Sequence, residues 1–300
     1  MIDTILTLSQ QFVGVTVPAL RNLALLAVIF TLLGRLFGSC NPGASWWRKP
    51  DLATDLCFAL LPRLFHVYAQ MALLIIGIAL FHGIGGAIDI GGYFEKGIGP
   101  LAGLPFWEQV ILYLLGNDLM MYLSHRAFHT ARLWRFHAVH HSSETLEWTS
   151  ATRFHPIDQV FHGSLADVTM LLLGIPPEVL VWLTPWSVGS SALVHANLDW
   201  TFGPFRYVLA SPVYHRWHHT SAERGGSSNF AGTFPFLDLM FGTFHMPRGE
   251  LPDAYGQDDP TLPSDFIGQL IHPFRRRRAT GGPIAAPPQP LPLGGPLGER

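Results

Sequence analysis

"WEQVILYLLGNDLMMYLSHRAFH", residues 107–129, begins as an apolar segment and ends in a pair of histidines. Its first part, 107–124, approaches the roughly 20 mainly apolar residues that a bilayer-spanning helix needs. At helical spacing Asp118, Tyr122, His125 and His129 share a face, because residues three and four apart are neighbours on a helix. A polar stripe on a spanning helix is rare and faces a cavity or a partner. The stretch therefore predicts a membrane helix that delivers polar groups to an interior site.

The rest of the chain agrees. Of 300 residues 48% are hydrophobic and 13% charged, against about 25% charged in soluble domains. The formal net charge of −2 gives no reason to expect a nucleic acid. Cys40 and Cys57 have no metal-type spacing, which argues against a disulfide framework or a thiolate site. The N-terminus lacks the basic start and cleavage site of a secretory signal, so its apolar segment is expected to stay as an anchor.

Residues 12–34 form a first candidate span that carries Arg21 and Asn22, and 64–82 a second whose apolar pattern begins near Leu52. Residues 163–198 are apolar but broken by "GIPPE" at 174–178, which predicts a helical hairpin. The expected fold is all-α and integral to the membrane: three to four transmembrane helices, a helical hairpin and a histidine-rich helical cap. Arg35, Arg48 and Lys49 follow the first span, and Arg126, Arg132, Arg135 and Arg153 follow the third. By the positive-inside tendency the cap faces the cytoplasm, at the inner membrane if the chain is bacterial. Residues 1–106 then hold N-terminal spans and an external loop, 107–247 the histidine region, and 248–300 a tail. That tail is basic at "FRRRR" and then Pro/Gly-rich, the composition of a disordered segment.

Fifteen histidines are the outlier. Eight stand in three boxes: His125 and His129 in "HRAFH", His137, His140 and His141 in "HAVHH", and His215, His218 and His219 in "HRWHH". If each box is helical, its imidazoles form one cluster. Buried without partners, such groups cost on the order of 1–3 kcal/mol each. Neutral imidazole is a ligand for iron, zinc or copper, and eight nitrogens exceed the positions around one ion, so two metals are expected. His195, followed by Asn197 and Asp199, and His155 in "RFHP" are further candidate ligands. Asp118 and Tyr122 are the candidate catalytic side chains, Asp118 to polarise or orient a ligand histidine. His66, His82, His162, His245 and His272 lie outside any box and read as ordinary polar residues. The "ERGGSSNFAG" stretch, 223–232, lacks the lysine of a phosphate-binding loop and reads as a mobile loop near the third box.

The order HxxxH, HxxHH and a distant HxxHH resembles the fatty acid hydroxylase/sterol desaturase family of membrane di-iron oxygenases. "NDLMMYLSHRAFH", "LWRFHAVHHSSE", "RFHPID", "HANLDW", "HRWHHT" and "LDLMFGTFHMP" resemble that family's segments in the same order, over residues 105–247. The resemblance implies two iron ions (with zinc as a possible substitute), O2 as co-substrate, and oxidation of an unactivated C–H bond in a lipid or sterol-like substrate drawn from the bilayer. Hydroxylation is the leading expectation and desaturation the alternative. No haem-binding donor domain is apparent, so a separate electron donor of ferredoxin, cytochrome b5 or reductase type is expected. Two readings of other classes stay open. A metal transporter would spread its ligands along the spans, whereas these cluster beyond the span ends. A zinc hydrolase would carry a nearby carboxylate base, and HExxH is missing.

Overall fold

The computed structural model describes residues 2–82, 90–257 and 259–275. Among these residues there are helices and turns and no strand. Helix α1 (Ile2–Leu36) is followed by α2 (Leu52–Leu60), α3 (Arg63–His82) and the short α4 (Ile90–Lys96). Two stretches, Gln10–Leu36 and Leu52–His82, are long and apolar enough to cross a membrane. In an 18-residue apolar window of each, only 11% and 12% is buried, unlike the core helices of a soluble protein. Together with the relatives described below, this associates the chain with a membrane.

Helix α5 (Phe106–Phe128) carries the opening stretch. It is not among the helices whose hydropathy alone suffices for a span, because one of its faces is polar. Trp107, Ile111, Leu115, Leu119 and Leu123, each four residues on, are exposed, whereas Gln109, Tyr113, Asp118, Tyr122 and His125 are buried. The apolar stripe faces outward and the polar stripe inward, as a membrane-side helix above a polar site requires.

The predicted break at 174–178 falls between α8 (Leu165–Leu172) and α9 (Pro177–His195). Both pack on α5 through Tyr113, Met170, Ile175, Val179 and Leu183. The turn between them crosses the 97–102 loop backbone to backbone. Gly174 has φ +105°, and a Cβ there would meet the Ala102 nitrogen at 2.8 Å. Only glycine meets both demands without strain. Upstream, α7 (Pro156–Gln159) runs through a π-turn at Val160–Ser164 into α8.

Four short helices complete the fold: α6 (Trp134–His137), α10 (Pro212–His218), α11 (Phe236–Phe241) and α12 (Phe266–Ile271). The Phe30 ring of α1 stacks on Trp148 at 5.6 Å, and both belong to a core with Ala192, Ala196 and Leu198. This core fastens the first membrane helix to the end of α9. Residues 248–257 and 259–275 pack back onto the histidine region. The Tyr255 hydroxyl accepts from Arg216 and donates to Asn41, and Phe266 meets Phe58 of α2 edge-on. Most of the basic run and the whole Pro/Gly-rich stretch, residues 276–300, lie outside the described residues, as do 83–89 of the expected external loop.

Candidate metal centre

The three boxes do not make three clusters. All eight box histidines and His195 gather into two groups, one of His125, His129, His137, His141 and His218, the other of His140, His195, His215 and His219. All nine are buried, and within each group one nitrogen per ring lies within 4.8 Å of the others. Both HxxHH boxes are shared out. Adjacent residues point about 100° apart on an α-helix and about 120° on a 3₁₀ turn, so His140 and His141 diverge, as do His218 and His219. The expectation of one cluster per box is corrected by this geometry.

Five of the nine rings have a defined tautomer. Nδ1 of His125 donates to the Phe230 carbonyl at 2.8 Å, and Nδ1 of His218 to the Ser228 carbonyl at 2.7 Å. Nδ1 of His195 donates to the Ser191 carbonyl at 2.7 Å, and that of His140 to the Arg153 carbonyl at 3.2 Å. Nδ1 of His137 donates to the Asp158 carboxylate at 2.8 Å. A carbonyl only accepts, as does the Asp158 carboxylate when ionised, so the proton sits on Nδ1 and the Nε2 lone pair is bare.

Those lone pairs face one another. His125 Nε2 stands 3.0 Å from His137 Nε2, and His140 Nε2 stands 3.3 Å from His195 Nε2. His215 and His219 approach His195 at 3.1 and 3.2 Å through the same atoms. Two unprotonated nitrogens cannot hydrogen-bond to each other; a shared cation relieves their repulsion. Imidazoles bound to one ion at about 2.0–2.1 Å sit roughly 3 Å apart, which matches these separations. In the first group both nitrogens of His129 and Nε2 of His141 and His218 are buried without a hydrogen-bond partner, and a metal would satisfy them. An all-imidazole donor set suits iron, zinc or copper.

The electrostatics agree with ligation. Burial pushes His137, His140, His141, His215, His218 and His219 well below the usual histidine range, so the imidazoles are neutral. Burial also pushes the Asp158 carboxyl well above its usual range, and one of its oxygens has no partner. A cation on the far side of His137 is the charge that would keep this carboxylate ionised, the arrangement of a carboxylate–histidine–metal relay.

The shell around the rings is built from segments distant in sequence. Asp118 touches no histidine: its carboxylate accepts the backbone N–H groups of Gly232, Thr233 and Phe234 at 2.7–3.0 Å. Tyr122 stands apart from the rings as well, with its hydroxyl 2.8 Å from the Thr243 Oγ1. Asp238 accepts the N–H groups of Phe230 and Ala231 at 2.8 and 3.0 Å, and the Tyr214 hydroxyl also donates to it. Together they pin the 228–234 loop, whose Ser228 and Phe230 carbonyls hold His218 and His125. The loop expected to be mobile is thus tied down over its second half.

A buried charge network does similar work for His140. Asp55 of α2 accepts from Lys49 at 2.5 Å, Thr149 at 2.6 Å and the Arg153 Nε at 2.7 Å. It fixes the turn that presents the Arg153 carbonyl. His155 lies outside both groups: Nδ1 accepts the Ile157 N–H at the start of α7, and Nε2 donates to the Leu270 carbonyl. With both nitrogens occupied it offers no lone pair, and its place is structural. Of the histidines outside the boxes, His66 bonds Ser164 and His82 the Leu172 carbonyl.

The comparisons with known proteins fall on the same residues. The fatty acid hydroxylase family model matches residues 110–243, the segment that supplies all nine histidines. Over those residues the chain is similar to the fatty acid hydroxylase family. It is 34% identical to an ornithine lipid hydroxylase of Rhizobium tropici over 174 residues, 58% of this chain and 52% of that protein. It is 33% identical to an alkylglycerol monooxygenase of Caenorhabditis elegans over 147 residues, 49% of this chain and 29% of that one. A very-long-chain aldehyde decarbonylase of Oryza sativa subsp. indica is 30% identical over 47% of this chain and 55% of its own. The chain thus spans about half, or less, of the curated relatives it matches. No solved structure matches it.

Proposed function

We propose that the protein oxidises an unactivated C–H bond of a lipid by hydroxylation, with O2 as co-substrate and two irons held by the two histidine groups. The observation that carries this is the convergence of Nε2 atoms, 3.0 Å apart in one group and 3.1–3.3 Å in the other, with the protons of His125, His140 and His195 turned outward onto carbonyls. The relatives supply the substrate class: their names specify a lipid hydroxylase and an alkylglycerol monooxygenase. Iron bound there would supply O2 activation and one-electron chemistry, which zinc, having no redox chemistry, would not.

The protein's own residues hold and orient. The four carbonyls fix four imidazole tautomers before any ligand arrives, and Asp158 would hold the His137 tautomer once a metal keeps its carboxylate ionised. Burial of all nine rings keeps water away from the site, and the exposed apolar stripe of α5 and the face of α9 lie on the membrane side, from which a lipid would approach. We place the histidine region on the cytoplasmic side, because the arginines and lysine flanking the spans gather there. Electrons would come from a separate donor of ferredoxin, cytochrome b5 or reductase type.

The test compares wild type with His218→Ala in a lipid-rich host under heavy-isotope dioxygen, read by lipid mass spectrometry. A lipid that gains one labelled oxygen only with the wild type supports hydroxylation. A lipid lighter by two hydrogens and unlabelled replaces it with desaturation. Equal activity in the mutant would remove the metal from the reaction.

A further inference from the structure

Beside the metal centre lies a cavity of about 340 Å³ between α9 and the 202–233 segment, lined among others by Trp186, Gly189, Leu193, Leu209 and Gly232. None of its lining residues is charged or titratable. A largely apolar pocket of this kind, open on one side, offers hydrocarbon a matching wall. Its size is at the small end of ligand pockets, which span about 300–1,000 Å³, and suits part of one chain better than a rigid fused-ring body.

The cavity runs from exposed apolar residues of α9 at one end to the segments that carry and hold the histidines at the other. Trp182, Trp186, Gly189 and Leu193 follow one another at four, three and four residues, a single stripe along α9. At the start of that stripe Trp182 is 62% exposed and Trp186 44%, continuous with exposed Val181 and Val188. At its end the lining residue Val194 directly precedes His195, whose ring lies about 100° further round the helix in the histidine group and is not itself part of the lining. On the opposite wall Gly232 lies two residues beyond Phe230, whose carbonyl holds His125. From Gly189 to His195 the helix rises only about 9 Å, at 1.5 Å per residue.

Gly189 is the telling residue. It sits in the interior of α9, where helix propensity favours almost any other side chain. No neighbour requires a glycine, since a Cβ built there meets nothing within 4 Å. What the missing side chain preserves is the open volume of the cavity.

We infer that this cavity holds a single hydrocarbon chain of the lipid to be oxidised, entering past Trp186 with its reacting portion toward His195. Gly189 sets how much of the chain is admitted. The inference rests on the lipid-oxidation reading above and adds to it the site and the chain form of the substrate.

The experiment uses full-length, metal-loaded protein in phosphatidylcholine nanodiscs and a series of saturated fatty acids, short to long, each with a terminal diazirine. Photolabelled peptides are mapped by mass spectrometry in wild type, Gly189→Ala and Gly189→Phe, with metal content per chain recorded for each as the check on folding. The expected result is labelling at Leu193 or Leu209 in wild type. For the longer probes it falls about tenfold or more in Gly189→Phe, the scale on which a pocket rejects added bulk, and less in Gly189→Ala. The oxidised lipids formed in cells should shift to shorter chains in the same order. Labelling that Gly189→Phe leaves unchanged overturns the inference. So does labelling that is lost while the chain-length profile of products stays the same, which would mark a resident structural lipid. Cavity labelling in a protein that oxidises no lipid would sink the lipid-oxidation reading and leave a hydrocarbon site standing; oxidation without cavity labelling would do the reverse.

Discussion

The two histidine groups are built from the same motifs but held in different ways. The group of five draws on α5, α6, the 140–142 turn and α10, and one of its rings, His137, donates to a buried carboxylate. The group of four takes His195 from the end of α9, and the outer partners of His195 and His140 are the neutral Ser191 and Arg153 carbonyls. A carboxylate partner raises the basicity of a ligand imidazole more than a carbonyl does. The two groups are therefore inequivalent as ligand sets although HxxHH contributes to both. Spacing along the chain sets how many ligands are available; the surroundings of each ring set what kind of site they make.

The largest expected effect separates the groups outright. His218→Ala removes a ligand from the group of five and His215→Ala one from the group of four. Each should lower bound metal from two toward one per chain, measured by plasma mass spectrometry, and abolish turnover. Loss of both metals in either variant would mean that the two groups form a single cooperative site.

A second measurement probes what the groups share. Six box histidines outside the membrane-facing helices have pKa values held below the ordinary 6.5 by burial. Below that pH the unfolded chain binds protons that the folded one refuses. Stability should be fully present above about pH 6.5 and fall as the pH drops, by up to about 1.4 kcal/mol per pH unit for each histidine. Thermal unfolding followed from pH 7.5 down to 5 reads this directly. A flat midpoint over that range would show that the rings are not buried neutral.

The smallest effect is the sharpest test of inequivalence. Asp158→Asn keeps the shape and removes the charge behind His137. Loss of an outer partner of this kind costs about 10–100-fold in metal affinity, and chelator competition should find that loss in only one of the two metals. Equal weakening of both would erase the distinction drawn between the groups.

Much of this was legible in the residues, for identifiable reasons. The boxes, the apolar stretches at 12–34 and 64–82 and the break at 174–178 are local patterns, and α1, α3 and the α8–α9 turn lie where those patterns put them. His195 could be named as a candidate because "HANLD" is an isolated polar turn at the end of an apolar run. The outer shell was not legible. Asp158 stands in "RFHPID" with nothing to distinguish it, and Asp55 lies at the start of a membrane helix far from any box. His155 had the better local case for a ligand, yet the Leu270 carbonyl, 115 residues away, takes its second nitrogen.

Composition and spacing by themselves determined that the chain is helical, membrane-associated and rich enough in imidazole for two metals. They also pointed to the stripe on which Asp118, Tyr122 and His125 lie together. The tertiary structure alone decided that neighbouring histidines part into two groups, and that Asp118 secures a loop instead of a ligand. It also chose which carbonyls fix the rings. Every residue carries the same carbonyl, so no local pattern marks the one that will meet a given imidazole. Only the packing of segments far apart in sequence, α5 against the 228–234 loop and α2 against the turn at 149–153, brings the chosen ones into place.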